Sequence, residues 1–491
     1  MADDSLFIDK IQRTFEAADA DLLTRAHAFS SKKACNGNST GYKAANLLLA
    51  QDADAITIAG ALLAPLLWQG LADSDAILER FGPLVAATIE GLSASFNPRA
   101  GTHPRQRGNI HVLLASMDGV PRRAILFITF RLLALEYATG SHEAAAREMA
   151  RETLDLLVPI ANRLSLGDLR RRLEDTCFRI LDPAGYAYLK ENVAPIQAED
   201  DKCLEILLQG VHQLLENNGI AGRIQGRTKS LYAIHRKMTR TGKTLEEIMD
   251  RVGLRVIVAS VPECYTVLGL LHTHFKPIPG TFDDYIGLPK DNGYQSLHTC
   301  VYPVREISHK PIEFQVRTEL MHMEAEHGTA AHWRYKNEAA AVERDHQRAQ
   351  WMKGLVRQHQ QANSNEAFIE LLHRQVFQDH LVVFGNGGRI VRLAEKATVR
   401  DYLTITNIEV PEGSVVKVNG QAAALDRLLR DGDSIEVLAG GVPAGPGAGK
   451  ARDADSLFGR GARHPSGGNS NGTAPAGFPP FPDKSQENKH A

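Results

Sequence analysis

Arg223, Arg227, Lys229, Arg236, Lys237 and Arg240 place six basic side chains within eighteen positions, with no acid among them. Guanidinium and ammonium groups bind phosphate oxygens directly. Gly222 and Gly226 add backbone freedom at the start of the run. If a helix begins near Ser230, Arg236 and Lys237 lie about two turns from Lys229. Such a segment suits a polyphosphate, although a solvated helix face has the same composition.

Two acids stand beside apolar runs of β character. Asp250 precedes the run in IMDRVGLRVIV, and Glu313 lies within PIEFQVRT. Acids on neighbouring strands can hold Mg²⁺ together with a phosphate chain, because that ion takes only one or two protein carboxylates and fills its shell with phosphate and water. A cap aspartate and an amphipathic surface strand are the structural alternatives. Glu313 alternates with Gln315 and Arg317, so the three share one strand face. Between the acids lies FDDYIGLPKDNGYQSLHT, dense in polar groups. Pro289, Asn292 and Gly293 mark it as a loop entering a strand, and binding groups concentrate on such loops. Lys290 could meet a phosphate and Tyr294 could stack on a base. His298 suits a hydrogen-bonded position in the sheet.

These groups need elements to position them. Up to about residue 195, Leu, Ala and Ile recur at helical spacing, which predicts an all-α domain. Residues 196–345 mix helices with the β-rich runs GLRVIVAS, SLHTCVYPV and PIEFQVRT, which predicts an α/β domain on a mostly antiparallel or mixed sheet. Residues 346–375 read as a polar connecting helix with a break near Asn363–Asn365. Residues 376–440 carry short strands separated by GNGG and DGD turns, the size of a small β-grasp module. Residues 441–491, rich in Gly, Pro, Ser and Asn, are expected to be disordered.

Composition sets the limits. The chain has 491 residues, 43% hydrophobic and 23% charged, with a formal net charge of -2. That length suits about three domains, and the charge excludes a globally basic nucleic-acid coat while leaving room for a local basic patch. No run approaches the ~20 apolar residues of a membrane span. The acidic, polar N-terminal stretch is no secretory signal. Five scattered cysteines without CxxC spacing argue against a disulfide framework and for a reducing, cytoplasmic setting.

The ordered series GRTKSLYAIHRKM, MDRVGLRVIV, CYTVLGLLHTHFKPIPGTFDDYIGLPKDNGYQSLHT, IEFQVRTELMH and AEHGTAAHWRYK resembles the synthetase domain of long RelA/SpoT-type alarmone enzymes, strongly over about residues 205–336. The resemblance implies a nucleotidyltransferase-like fold and transfer of pyrophosphate from ATP to the 3′-hydroxyl of GDP or GTP. It implies that Arg227, Lys229 and Lys237 cradle phosphates and that Asp250 binds Mg²⁺. Glu313 would share that metal or act as base, and Tyr294 would stack on guanine. Lys290, Asn292, His298, Gln315 and Arg317 would line the acceptor pocket. There are departures. Ala233 stands where the family has a small hydroxyl residue, and one lost hydrogen bond costs about 1–3 kcal/mol. The segment Thr281-Phe282-Asp283-Asp284 matches the acidic pattern of synthetase-only members in its two aspartates but not in Thr281.

In the same family the N-terminal helical domain is an HD-type hydrolase that uses Mn²⁺. Aligned on that pattern, the His-Asp pair falls on Ala64 and Pro65, the Glu-Asp pair on Trp68 and Gln69, the upstream histidine near Thr40, and the later aspartate on Phe130. None can ligate a hard cation through its side chain, so a degenerate HD domain, a pseudo-hydrolase, is expected. The C-terminal module resembles the family's TGS domain, but TITNIEVPEGS lacks the histidine that reads the tRNA 3′ end. Contact with the ribosome or tRNA is therefore in question, and a domain-packing role is favoured. Two other readings remain at this stage: a pyrophosphokinase acting on another 3′-hydroxyl such as that of tRNA, and a nucleotide-binding regulatory pseudoenzyme.

Overall fold

A computed structural model of the chain describes residues 2–33, 39–90, 92, 110, 114, 117, 120–139, 144–245, 247–248, 252–304, 311–328, 339–377, 380–385, 389–394, 396–408, 415–430 and 432–438. Asp250 and the segment 441–491 lie outside them. The chain divides into two compact units, 1–377 and 378–491.

The first unit opens with a helical body. Its central helix, Ala55–Trp68, is apolar on nearly every side and is buried at Ala55 and from Thr57 to Leu66, as a helix surrounded by other helices must be. Asp54 caps it by accepting from Thr57 N, and Arg122 binds the same carboxylate at 2.8 Å. Around it pack the helices Ala17–Lys33, Ser39–Ala50, Pro83–Glu90 and Pro121–Ala138. The helix Gly167–Leu181 closes the body toward the sheet. The stretch expected to be a polar connecting helix is two helices, Ala339–Gln361 and Asn365–Phe377. They are not a free linker, because Met352, Leu355, Phe368 and Leu372 are buried in the core of the helical body. Their many polar residues hide a sparse apolar stripe, enough to dock each helix along one side.

The 35-residue helix Pro183–Asn217 joins this body to a five-stranded sheet. Leu189 lies in a small cluster with Phe178, Ile234 and Leu245. Further along, Leu204, Leu207, Val211 and Leu215 pack in the core of the sheet. The strands are β1 (Gly222–Thr228), β2 (Val252–Val258), β3 (Asp283–Asp284), β4 (Leu297–Val301) and β5 (Ile312–Thr318), in the order β1-β2-β5-β4-β3. Only β2 and β5 pair in parallel, so the sheet is mixed. The helix Val261–His274 follows β2, is fastened by a Ser260–Glu263 capping box, and packs on β5, β2 and β4.

The second unit holds a hairpin of β6 (His380–Gly385) and β7 (Arg389–Ala394). A three-stranded sheet is formed by β8 (Val415–Val418), β9 (Gln421–Ala422) and β10 (Ile435–Leu438) in the order β10-β8-β9. A parallel bridge from Phe384 to Ser434 joins the two. The helix Val399–Thr406 buries Tyr402 against Val383, Val418 and Ile435.

Among the described residues, no helix is long and apolar enough to cross a membrane. The described cysteines Cys177, Cys203, Cys264 and Cys300 are free thiols.

The helical body and the sheet touch backbone to backbone. Gly328 ends the helix Glu319–His327 with φ +55°, and a Cβ there would run into the carbonyl oxygens of Leu164 and Ser165. Gly328→Ala is expected to destabilise the first unit by about 2 kcal/mol or more, from strain and overlap together. A denaturant midpoint equal to that of the wild type would show that this contact is not made.

Candidate active site

Residues directly opposite one another in a sheet share a face, so the register sorts this one into two surfaces. Leu254, Val256, Leu297, Val301, Phe314 and Val316 form the apolar face, which is the core. On the other face stand Glu313, Gln315 and Arg317. Gln315 is paired with Arg255 of β2 and His298 of β4, and Glu313 with Cys300. Arg255 is in turn opposite Gln225, and His298 opposite Asp283. A sheet face that gathers this many polar side chains, with Ile257 and Cys300 among them, has a task beyond stability.

Glu313 is half-buried at the centre of that face. Its Oε1 accepts from Gln315 Nε2 at 3.0 Å and lies 3.4 Å from His298 Nδ1. The other ring nitrogen of His298, Nε2, is 2.8 Å from the Tyr294 hydroxyl. Tyr285 sets its ring edge-on to both, with centroids 5.2 Å from His298 and 6.2 Å from Tyr294. Lys290 Nζ lies 4.4 Å from the centre of the Tyr285 ring, within cation–π range. Five of the residues singled out in the sequence, Lys290, Tyr294, His298, Glu313 and Gln315, thus form one cluster. A carboxylate held by an amide and an imidazole, beside an aromatic wall, can take a proton from a hydroxyl bound against that wall.

Arg317 does not open onto this cluster. Its side chain is fully buried, with the guanidinium carbon 6.0 Å from the centre of the Tyr294 ring. It donates to Glu326 Oε1 at 3.0 Å and to His322 Nδ1 at 2.8 Å. Glu326 also binds Arg255 at 3.1 Å and Arg171, from the helical body, at 2.7 Å. Burial alone would raise the Glu326 carboxyl, but the arginines Arg171, Arg255 and Arg317 hold it far below the usual carboxylate range. Burial, then Arg317 and Arg255, push His322 down to about 3. It is therefore neutral near pH 7, and its Nδ1 can accept from Arg317. Sequence reasoning missed Arg255, His322 and Glu326. The only signal was three polar residues set in or just after apolar strands, and their partners lie far away in the chain.

Asn292 also turns away from the cluster. Its amide Nδ2 donates to the carbonyl of Asn162, and its Oδ1 accepts from the Tyr294 backbone N–H. On the basic segment, Lys229 precedes the helix Leu231–Thr241 and Lys237 lies within it. Ser230 caps that helix through Ala233 N, and His235 stacks on Phe178 of the helical body at 4.4 Å. The Arg227 backbone pairs with Gly253, which is also the partner of Glu313. Asp250, just before β2, lies outside the described residues. A cavity of about 410 Å³ lined by Phe29, Lys33 and Arg80 belongs to the helical body and touches none of these groups.

In the helical body, four of the positions aligned with metal ligands, Ala64, Pro65, Trp68 and Phe130, carry apolar packing, while Gln69 is exposed. Ala64 and Pro65 are buried, and Trp68 meets Phe130 edge to face with ring centroids 4.7 Å apart. Thr40 is exposed. Among the described residues no group of three or more His, Cys, Asp or Glu side chains is placed to hold a metal ion.

Residues 226–340 match the region found in RelA/SpoT proteins, and residues 20–167 match the HD domain. A probable guanosine-3′,5′-bis(diphosphate) 3′-pyrophosphohydrolase of Synechocystis sp. is 35% identical over 378 residues, covering 74% of this chain and 49% of that protein. A GTP pyrophosphokinase of Myxococcus xanthus is 30% identical over 433 residues, covering 86% of this chain and 57% of that protein. The chain therefore spans about half the length of these relatives. Among solved structures, small alarmone synthetase 1 from Bacillus subtilis bound to its product pppGpp matches with 23% identity and a TM-score of 0.26, covering 35% of this chain and 96% of that one. The chain thus carries an HD domain followed by the region found in RelA/SpoT proteins.

Proposed function

We propose that the chain makes (p)ppGpp by transferring pyrophosphate from ATP to the 3′-hydroxyl of GDP or GTP. The observation that carries this reading is the Glu313–His298–Tyr294 cluster on the polar face of the sheet. It sets a carboxylate against an aromatic wall of the kind a nucleoside needs. Glu313 takes the proton of the acceptor hydroxyl while His298 and Gln315 hold its carboxylate in place. Tyr294 stacks on guanine, and Lys290 faces acceptor phosphate. Arg227, Lys229 and Lys237 cradle the phosphate chain of ATP. Asp250 and Glu313 fit Mg²⁺ in the mode of one or two carboxylates completed by phosphates. The ion supplies charge neutralisation when bound, and positioning by these side chains supplies much of the rest. Arg317 acts from beneath, bracing Tyr294.

The helical body then serves without hydrolysis. The Trp68–Phe130 contact fills with aromatic rings the place where the family pattern puts carboxylates, and neither ring can bind a hard cation or activate water. The hydrolase name of one relative does not carry over, because identity elsewhere in the chain does not restore those ligands. The second unit is read as a TGS-like packing module, with tRNA or ribosome contact disfavoured by its missing histidine.

Three outcomes test this. With γ-labelled ATP, Mg²⁺ and GDP, the wild type should yield labelled ppGpp, and Glu313→Gln should lower the rate by about 10²- to 10⁴-fold with an unchanged melting temperature. Equal rates would remove Glu313 from the chemistry. Tyr294→Phe keeps the ring and should raise the KM for GDP by no more than about tenfold, the worth of one hydrogen bond. Tyr294→Ala loses the stack and should raise it by about 5- to 150-fold. Finally, ppGpp incubated with the protein and Mn²⁺ should release no pyrophosphate above background. Sustained Mn²⁺-dependent release would overturn the pseudo-hydrolase reading.

A further inference from the structure

The helix Val158–Arg163 ends in a Schellman turn. Leu166 N donates to Ala161 O, and Ser165 N donates to Asn162 O. The residue that turns the chain, Ser165, has φ +58°. Glycine is the usual occupant of that place, because a Cβ is strained in the left-handed region. Here a serine stands instead, almost wholly buried, and its hydroxyl donates to Asn292 O at 2.7 Å.

Two more contacts join the same turn to the same loop. Arg163 donates to Asp291 O, and Asn162 O accepts from Asn292 Nδ2 at 3.2 Å. The opposite end of the Asn292 side chain accepts from Tyr294 N at 3.1 Å. A continuous hydrogen-bonded path therefore runs from the helical body through Asn292 to the backbone of the residue that walls the site.

From this path we infer that Ser165, Arg163 and Asn162 of the helical body are positioning residues for the acceptor loop, acting through Asn292 to fix Tyr294. This rests on the synthetase reading. Asn292 acts through the protein, with one N–H and one lone pair of its amide engaged by Asn162 and Tyr294. The acceptor site is thus built jointly by the sheet and the helical body, while the ATP side, on the basic segment, does not depend on this turn. The strained serine is explained by its hydroxyl, which a glycine would lack.

Ser165→Gly separates positioning from stability, because glycine relieves the left-handed backbone while removing the hydroxyl. The melting temperature should stay the same or rise. The KM for GDP should increase about three- to tenfold, the range for one hydrogen bond, with the KM for ATP within about twofold of the wild type. Asn292→Asp keeps the acceptor for Tyr294 N, loses the donor to Asn162 O, and should raise the KM for GDP in the same selective way. GDP affinity measured by calorimetry on the full chain should fall in parallel. A Ser165→Gly variant with wild-type values for both nucleotides, or with both weakened alike, overturns the inference and leaves the synthetase reading intact. A wild type that binds GDP without transferring pyrophosphate overturns the reaction proposed above, and the calorimetric ratio then decides the positioning role alone. A wild type that binds no GDP overturns both.

Discussion

The buried carboxylate of Glu326 is the constraint on which the site depends. Arg255 on β2 and Arg317 on β5 bring cations to the inside of a sheet, and an unpaired buried charge costs several kcal/mol. Glu326 answers both and takes a third arginine, Arg171, from the helical body. Removing Glu326 would strip all three arginines of their shared counter-charge, so the cluster ties together the strand pair, the helix Glu319–His327 and the helix Gly167–Leu181. His322, neutral because burial and two arginines suppress its protonation, completes the shell by accepting from Arg317 rather than adding a fourth cation. Arg317 and Glu313 lie near opposite ends of β5, so the placement of the acid follows from the locking of the far end of its own strand.

What could be read in the residues alone was local. The alternation of Glu313, Gln315 and Arg317 along β5 indicated a polar face, and the loop before β4 was recognisable from its Pro, Asn and Gly. His298, read from the sequence as a sheet histidine, lies on β4 between Tyr294 and Glu313. What could not be read was partnership across sequence distance. Arg255 and Glu326 are 71 positions apart and Arg171 and Glu326 are 155, and no spacing rule links them. The direction of Asn292 was equally hidden, because an asparagine before a glycine in a turn has the same composition whether its amide faces a ligand or a neighbouring helix. The docking of the helices Ala339–Gln361 and Asn365–Phe377 escaped for a related reason. Four buried apolar residues spread over two polar helices make a weak periodic signal, and only the groove they fill explains them.

The helical body sets Ala64, Pro65, Trp68 and Phe130 where the family's hydrolase pattern would place metal ligands. A metal centre in a helical core sets polar ligands among apolar neighbours, and its carboxylates are costly to bury without the ion. Trp68 and Phe130 exchange that requirement for edge-to-face packing, worth about 0.5–1.5 kcal/mol beyond the area it buries. Ala64 and Pro65 extend the same apolar surface along the helix Ala55–Trp68.

Among the described residues, the helical body meets the sheet and its flanking segments through contacts of several physical kinds. Arg171 supplies charge to Glu326. The turn at Leu164 and Ser165 meets Gly328, and Gly167 meets the Ala325 carbonyl, at distances that exclude a side chain. Asn162, Arg163 and Ser165 supply hydrogen bonds to the loop at Asp291 and Asn292. Charge tolerates small displacements, close backbone contact tolerates none, and hydrogen bonds fix direction. Together they over-determine the position of the loop that carries Tyr294. A sheet cut away from this body would keep its apolar core but lose the partners of one face, and that face holds the candidate acid. The helical body is therefore a structural part of the candidate site, independent of any reaction of its own.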